Sequence, residues 1–427
     1  ETLSALLVSE TTVRLQCGSA SPRPRTAARH ARGPTSPGRT EGASMVNRMI
    51  LNPTSYIGRG AVAEIPGVLA DRGHTKALVV TDAVLLESGV TTRVTDLLDA
   101  ARFPYEVFSD VAPNPPVENV LAGVRAFEAS GADVLIAVGG GSPQDTCKAV
   151  GIVVANPEFA DVLSLEGVAA TRNPSIPVIA VPTTAGTAAE VTINYVITDV
   201  SKDRKFVCVD PHAIPVVAVV DADLMDGMPA SLKVATGLDA LTHAIEGFTT
   251  LGAWALTDTL HLAAIETIAR SLPAAAAGAP DAVEHMALAQ YMAGMGFSNV
   301  GLGLVHAMAH PLGAMFGVPH GVANGILLAS VMELNASHTG EKLRSVARAL
   351  GVEGVDTMPI DDARAAAVSA VRHLVSSLGN PTTLREVGVT ADGLEALTDA
   401  ALADVCAGGN PRPATRDEVL ALYRALL

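Results

Sequence analysis

Apolar positions follow two regimes along the chain. Up to about residue 226 they gather in short β-branched runs: KALVVTD (76–82), ADVLIAVGGG (132–141), IPVIAVPTT (176–184) and PVVAVVDADL (215–224). Helical patterns stand between several of them, as in VTDLLDAAR and VENVLAGVRAFEAS. Apolar strands alternating with helices predict an α/β fold with a parallel sheet covered on both faces. From about residue 227 the strand signals fade. Long Ala/Leu/Met-rich patterns of helical period take over and predict an all-helical second half. No repeat of solenoid length is present.

The first 44 residues belong to neither regime. SPRPRTAARHARGPTSPGRT is rich in Arg, Ser, Pro and Gly and poor in large apolar residues. Such a segment buries too little surface to offset its ordering entropy, so residues 1–44 are expected to be a disordered or spurious extension.

Composition narrows the classes. Of 427 residues, 49% are hydrophobic and 17% charged, which is ample for a large core. No run reaches the ~18 uninterrupted apolar residues of a membrane span. The net charge of −15 disfavours nucleic acid and anionic lipid as partners. Cys17, Cys147, Cys208 and Cys406 are scattered and form no CxxC pair, so neither a disulfide framework nor a structural zinc knuckle is expected, and a reducing cytoplasm is the simplest compartment.

Two loops in the first half carry the marks of a nucleotide site. In VLIAVGGGSPQDT an apolar strand ends at Val138, three glycines follow, and a helix is expected with Ser142 as its N-cap and Pro143 as its first residue. Glycines let a ligand approach the backbone, and a helix N-terminus offers free N–H groups to phosphate. The spacing is not GxGxxG, and a tight strand-to-helix turn would read the same way. PTTAGTAAE (182–190) is a second loop of small hydroxylated residues after a strand. Two such loops beside one parallel sheet favour a dinucleotide. Asp82 ends another strand, where its carboxylate either accepts from an adenosine ribose, favouring NAD over NADP, or caps the next helix.

The second half holds a different chemistry. From His285 to Met332 there is no Asp, Glu, Lys or Arg, yet His306, His310 and His320 fall within this run. Upstream, GLDALTHAIEG places Asp239 and His243 four apart, on one helix face. Ionisable groups in an apolar region are costly unless something pairs with them, and a divalent cation pairs with several at once. Spacing favours His306 with His310, while His320 would begin the next helix; spacing alone does not choose among the three. The other histidines (His30, His74, His212, His261, His285, His338, His373) are expected at the surface or as satisfied core residues. An Asp/imidazole set without thiolate suits Fe(II), Zn, Mn or Co.

GGGSPQDTCKA, PTTAGTAAEVT, GLDALTHAIEG and GLVHAMAHPLGAMFGVPHGVAN together resemble the iron-dependent (group III) alcohol dehydrogenases, and the likeness runs from about 46 to the C-terminus. The resemblance implies a Rossmann-like parallel-sheet domain (45–226) binding NAD and an all-helical metal-binding domain (227–427), a plan shared with dehydroquinate synthases. It implies Asp239, His243, His306 and His320 as ligands of Fe(2+), with Zn(2+) also suited to the set. It places dinucleotide contacts at Asp82, Gly139, Gly140, Gly141, Ser142, Thr183, Thr184, Thr187 and Lys205. His310 becomes the residue beside the nicotinamide that moves a proton toward solvent, or orients a ligand. Asn194, Phe297 and Leu302 fall at the substrate pocket and Cys406 near it, whereas Cys147 is read as packing. The implied activity is hydride transfer interconverting lactaldehyde and 1,2-propanediol in a cytoplasmic homodimer, with 1,3-propanediol, ethanol or butanol as alternative substrates. A lyase of the dehydroquinate synthase kind would need a basic pocket, and 285–332 offers no Lys or Arg.

Overall fold

A computed structural model describes residues 46–202 and 204–427; the expectation for residues 1–44 lies outside the described residues. Residues Asn47–Leu427 pack as one compact unit.

The first half contains eight strands: β1 (Thr54–Ile57), β2 (Ala77–Val80), β3 (Tyr105–Phe108), β4 (Val134–Gly139), β5 (Val178–Pro182), β6 (Asn194–Asp199), β7 (Arg204–Val209) and β8 (Val217–Val220). Six of them form one parallel sheet in the order β1-β8-β5-β4-β2-β3. Period-2 geometry sends alternate residues to opposite faces. Leu78, Val80, Leu135, Ala137, Val178 and Ala180 face one core, with Val120 and Phe127 of the helix Val117–Ser130 and Cys147 and Val150 of the helix Gly141–Ala155. Val79, Ile136, Val138, Ile179, Val181 and Val219 face the other, with Ile65, Leu69, Val94 and Leu98. Both faces are therefore dry, which is why these strands read as unbroken apolar runs.

Omitting edge strand β1 and the separate hairpin β6–β7, the strand order is the 2-1-3-4-5 doubly wound arrangement, a variant of the Rossmann-like expectation. The winding reverses between β2 and β4. Ligands bind outside the carboxyl ends of the strands at such a reversal. Asp82 follows β2, the glycines follow β4, and the threonine loop follows β5. The sequence patterns located β2, β4, β5 and β8. They passed over β1 and β3, whose TSYI and YEVF are half polar and sit at the sheet edges, and the antiparallel hairpin β6–β7.

Among the described residues no strand follows Val220. Five long helices come next: Ala230–Thr249, Ala255–Ala276, Pro280–Val300, Leu304–Phe316 and His320–Asn335. Glycines let them approach closely. A Cβ on Gly321 would fall 1.9 Å from the carbonyl oxygen of Ala235, so the last of these helices lies directly against the first. The apolar core of this half also takes in Ala185, Ala188, Val191, Ala218 and Val220, which seat it on the sheet.

Candidate active site

Four helical residues converge on one carboxylate. Asp239 and His243 lie one turn apart on Ala230–Thr249, His306 lies in the first turn of Leu304–Phe316, and His320 opens His320–Asn335. The Nε2 atoms of His320, His306 and His243 stand 3.5, 3.7 and 3.8 Å from the same Asp239 Oδ1. Donor atoms of Asp239, His306 and His320 all lie within 4.8 Å of one another, and His243 flanks them, its ring stacked on His306 at 4.6 Å. Phe297 stacks on the other side of His243 at 4.2 Å and shields it from water.

Burial is the largest influence on these groups. It pushes the His243 imidazole down to about 4 and His320 well below its usual range, against the pull of Asp239. Both rings therefore keep their lone pairs free at neutral pH. For His306, burial is outweighed by hydrogen bonds to Asp239 and Glu246, which raise it to about 9. Burial would raise Asp239, but His243, His320 and His306 together hold its carboxyl well below the usual carboxylate range. Three ring nitrogens around one carboxylate oxygen, with no Lys or Arg in the surrounding run, fit a divalent cation of borderline hardness.

Three supporting residues escaped the sequence reading. Glu246 accepts from His306 Nδ1 at 2.7 Å and thereby aims Nε2 at Asp239. Asn324 donates to Asp239 Oδ1 at 2.7 Å. Asp404 sits 2.7 Å from His310 Nδ1. The first two were in view as spacings, Glu246 three after His243 and Asn324 four after His320. Asp404 was not, because it reaches the site from another part of the chain.

The spacing argument for His310 is corrected. Although His310 lies one turn from His306, its ring is edge-on to that of His306 at 6.2 Å and its Nδ1 is held by Asp404. The His310 ring stacks on His320 at 5.4 Å and lines the cavity instead. Burial would raise Asp404, but its interactions with His310 and the Cys406 backbone N–H together hold it below the usual carboxylate range. His261 also departs from expectation. It is fully buried against Gly247 and Gly296, and neither ring nitrogen has a partner, so burial pushes it down to about 3.

A cavity of about 270 Å³ joins the two halves. Its helical wall carries Asp239, His243, His306, His310, His320, Phe297, Leu302 and Cys406, and its sheet wall carries Gly141, Ser142, Thr187, Asn194 and Lys205. Asn194 Oδ1 is buried without a partner. Lys148 fastens this wall: its buried Nζ donates to Thr192 O, Thr192 Oγ1 and Asn194 O at 2.8, 2.9 and 2.8 Å. Asp145 accepts from Val196 N at 3.0 Å on the same wall. Cys147 is buried in the sheet core, away from the cavity.

The glycine loop begins its helix earlier than expected. Gly140 is the N-cap and Gly141 the first helical residue, so Ser142 is not the cap; its Oγ accepts from Asn114 N at 3.3 Å. No side chain caps this helix, which leaves its first N–H groups for an anion. Gly139 has φ +157°, and a Cβ there would fall 2.4 Å from Pro143 Cγ. Cβ atoms on Gly140 and Gly141 would lie 3.2 Å from Thr184 and Thr187. The loops thus pack on each other, with Thr183 N donating to Gly139 O at 3.2 Å. Bare backbone beside free helix amides is the cradle that a dinucleotide pyrophosphate requires. Asp82 caps the short helix Ala83–Glu87, accepting from Leu85 N at 2.9 Å, and stands at the reversal between β2 and β4.

Comparison with known proteins follows this division. A family described as iron-containing alcohol dehydrogenase matches residues 52–222, and the C-terminal family of Fe-containing alcohol dehydrogenases matches 233–427. A lactaldehyde reductase of Escherichia coli (strain K12) is 61% identical over 379 residues, covering 89% of this chain and 99% of that protein. A crystal structure of 1,3-propanediol oxidoreductase superposes with a TM-score of 0.87 at 37% identity, covering 90% of this chain and all (100%) of that one. A sulfoacetaldehyde reductase from Bifidobacterium kashiwanohense, solved in complex with NAD+, superposes with a TM-score of 0.79 at 29% identity, covering 90% of this chain and 99% of that one.

Proposed function

The chain belongs to the iron-containing alcohol dehydrogenase family, and we propose that it is an NAD-dependent, metal-dependent oxidoreductase that interconverts lactaldehyde and 1,2-propanediol. The reaction balances as aldehyde plus NADH plus a proton giving alcohol plus NAD+. The observation that carries the reading is the convergence of three imidazole Nε2 atoms on Asp239 Oδ1, 3.5–3.8 Å away, across a cavity from the glycine and threonine loops. Identity of 61% to a lactaldehyde reductase supports the substrate. Relatives at 38% identity, among them a 1,3-propanediol dehydrogenase, support other short alcohols and diols less well.

Asp239, His243, His306 and His320 would hold Fe(2+), or Zn(2+), and the loops would hold NAD. Such an ion supplies Lewis acidity toward the substrate oxygen, and the nicotinamide supplies or accepts the hydride. The chain's own residues supply placement. Glu246 and Asn324 fix the orientation of the ligands. Gly139, Gly140, Gly141, Ser142, Thr183, Thr184 and Thr187 would shape the seat for the cofactor, Lys205 on the cavity wall would help to hold it, and Asp82 would accept from its ribose. Phe297 and Leu302 exclude water, and Asn194 offers its unpaired carbonyl oxygen to a substrate hydroxyl. His310, braced by Asp404, carries the alcohol proton between the cavity and solvent.

Among the described residues no helix is long and apolar enough to cross a membrane. A cytoplasmic homodimer without nucleic-acid or membrane partners completes the proposal, as does the division at about residue 226. The test is NADH oxidation by anaerobically purified, iron-loaded protein with lactaldehyde, propanal, butanal and 3-hydroxypropanal. The highest kcat/KM is expected for lactaldehyde, and loss of turnover in His306→Ala. Preference for 3-hydroxypropanal would overturn the substrate; full activity in His306→Ala would overturn the metal chemistry.

A further inference from the structure

A second group of donors meets beside the first. His310 Nδ1 is 2.7 Å from Asp404 Oδ2, and Asp404 Oδ1 accepts the Cys406 backbone N–H at 2.8 Å. One carboxylate thus holds both the ring and the cysteine in place. A ring nitrogen of His310, a carboxylate oxygen of Asp404 and Sγ of Cys406 all lie within 4.8 Å of one another. His310 and Cys406 line the cavity, so an ion entering there reaches them.

We propose that His310, Asp404 and Cys406 form a second cation site, distinct from the Asp239 cluster, that takes a thiophilic divalent ion such as Zn2+, Cd2+ or Co2+. Three protein donors with the cavity at the fourth position form an open tetrahedral site of the kind zinc adopts. The donor sets differ in softness. The Asp239 cluster holds no sulfur, whereas this group adds one, so softer ions divide toward it. Burial, then the charges of Asp404 and Glu246, push the Cys406 thiol well above its usual range. Without an ion it is therefore a poor nucleophile, and a coordinating cation removes the proton outright.

An ion there also draws His310 away from its bond with Asp404 and occupies the cavity wall. Soft metals should then inhibit turnover while the first site stays loaded. That consequence rests on the role given to His310 above; the binding does not.

The experiment uses the full chain with Cys17→Ser, stripped of metal by chelator and titrated anaerobically with Co2+. Cys147 and Cys208 are sealed in the core, so a near-ultraviolet thiolate-to-cobalt charge-transfer band reports Cys406. The band is expected in this background and in His306→Ala, and is expected to vanish in Cys406→Ser and Cys406→Ala, with thermal melts confirming that all variants are folded. No band, a band that survives both Cys406 substitutions, or a band lost in His306→Ala would each overturn the proposal. In the iron-loaded enzyme, Cys406→Ser should raise the zinc concentration for half-inhibition by about tenfold or more; an unchanged value overturns the inhibitory role. Absence of lactaldehyde turnover would remove the functional reading and leave the cobalt band as it stands.

Discussion

The Glu246 carboxylate receives the Nδ1–H of His306 at 2.7 Å while also accepting the backbone N–H groups of Val305 and His306, at 2.6 and 3.3 Å. It caps a helix and aims a ligand at once. Glu246→Gln keeps the shape but loses the charge that stabilises both. Metal affinity should fall about 10–100-fold. Chelator competition with metal-loaded protein measures this, and an unchanged affinity would show that the carboxylate only caps the helix.

The Asp404–His310 pair predicts a separation of proton movement from metal binding. His310→Ala should lower kcat by about 10²-fold or more, since positioned acid–base groups contribute on that scale. Iron content at the Asp239 cluster should be unchanged, and added imidazole should restore part of the rate. Asp404→Asn should shift the pH profile of kcat. Loss of the metal in His310→Ala would instead make His310 a support for His320, on which it stacks.

Gly321 predicts a steric route to the same site. The missing Cβ leaves room for the Ala235 carbonyl, at 1.9 Å from where that atom would stand. Gly321→Ala must push His320–Asn335 away from the helix bearing Asp239. Overpacking of this kind costs about 1–3 kcal/mol. Thermal unfolding should show that loss, and the metal should dissociate more readily because His320 moves with its helix. A variant with wild-type Tm and affinity would mean the helices slide without cost.

Glu190 predicts how stability varies with pH. It is fully buried, Gln290 donates to its Oε1, and its Oε2 has no partner. Burial raises it to about 7, against the opposing pull of Gln290 and Lys148. The unfolded chain titrates near ~4.3. The stability it contributes is therefore complete below ~4.3 and is lost as pH rises through about 7. Glu190→Gln should remove that decline and be more stable than wild type at pH ~8, by on the order of 2 kcal/mol. Parallel Tm curves for the two proteins across this range would contradict the assignment.

How much of this was readable in the chain depends on the length scale of each signal. β2, β4, β5 and β8 were legible because both their faces are buried and every position is apolar. β1 and β3 were not, since each has one open edge and tolerates Ser, Tyr and Glu. Asp239 and His243 were legible as neighbours on one helix. Their union with His306 and His320 was not, because three helices must first pack, and that packing rests on glycines such as Gly321 whose partners are far away in sequence. Periodicity put His310 on the ligand face; Asp404, 94 residues later, turned its ring aside. Motif resemblance carried what periodicity could not.

The charge-free run from His285 to Met332, with an ion held by Asp239, would tie the durability of the fold to nutrition. That layer supplies no Lys or Arg, so without an ion Asp239 is met by imidazoles, the Asn324 amide and the charge of Lys205 from the opposite cavity wall. A cation that binds only the native state adds about 2.7 kcal/mol once its free concentration is a hundred times its dissociation constant. Cells grown with scarce iron would accordingly make a more fragile polypeptide, cleared faster by proteases, so the quantity of enzyme as well as its activity would follow the trace-element content of the medium.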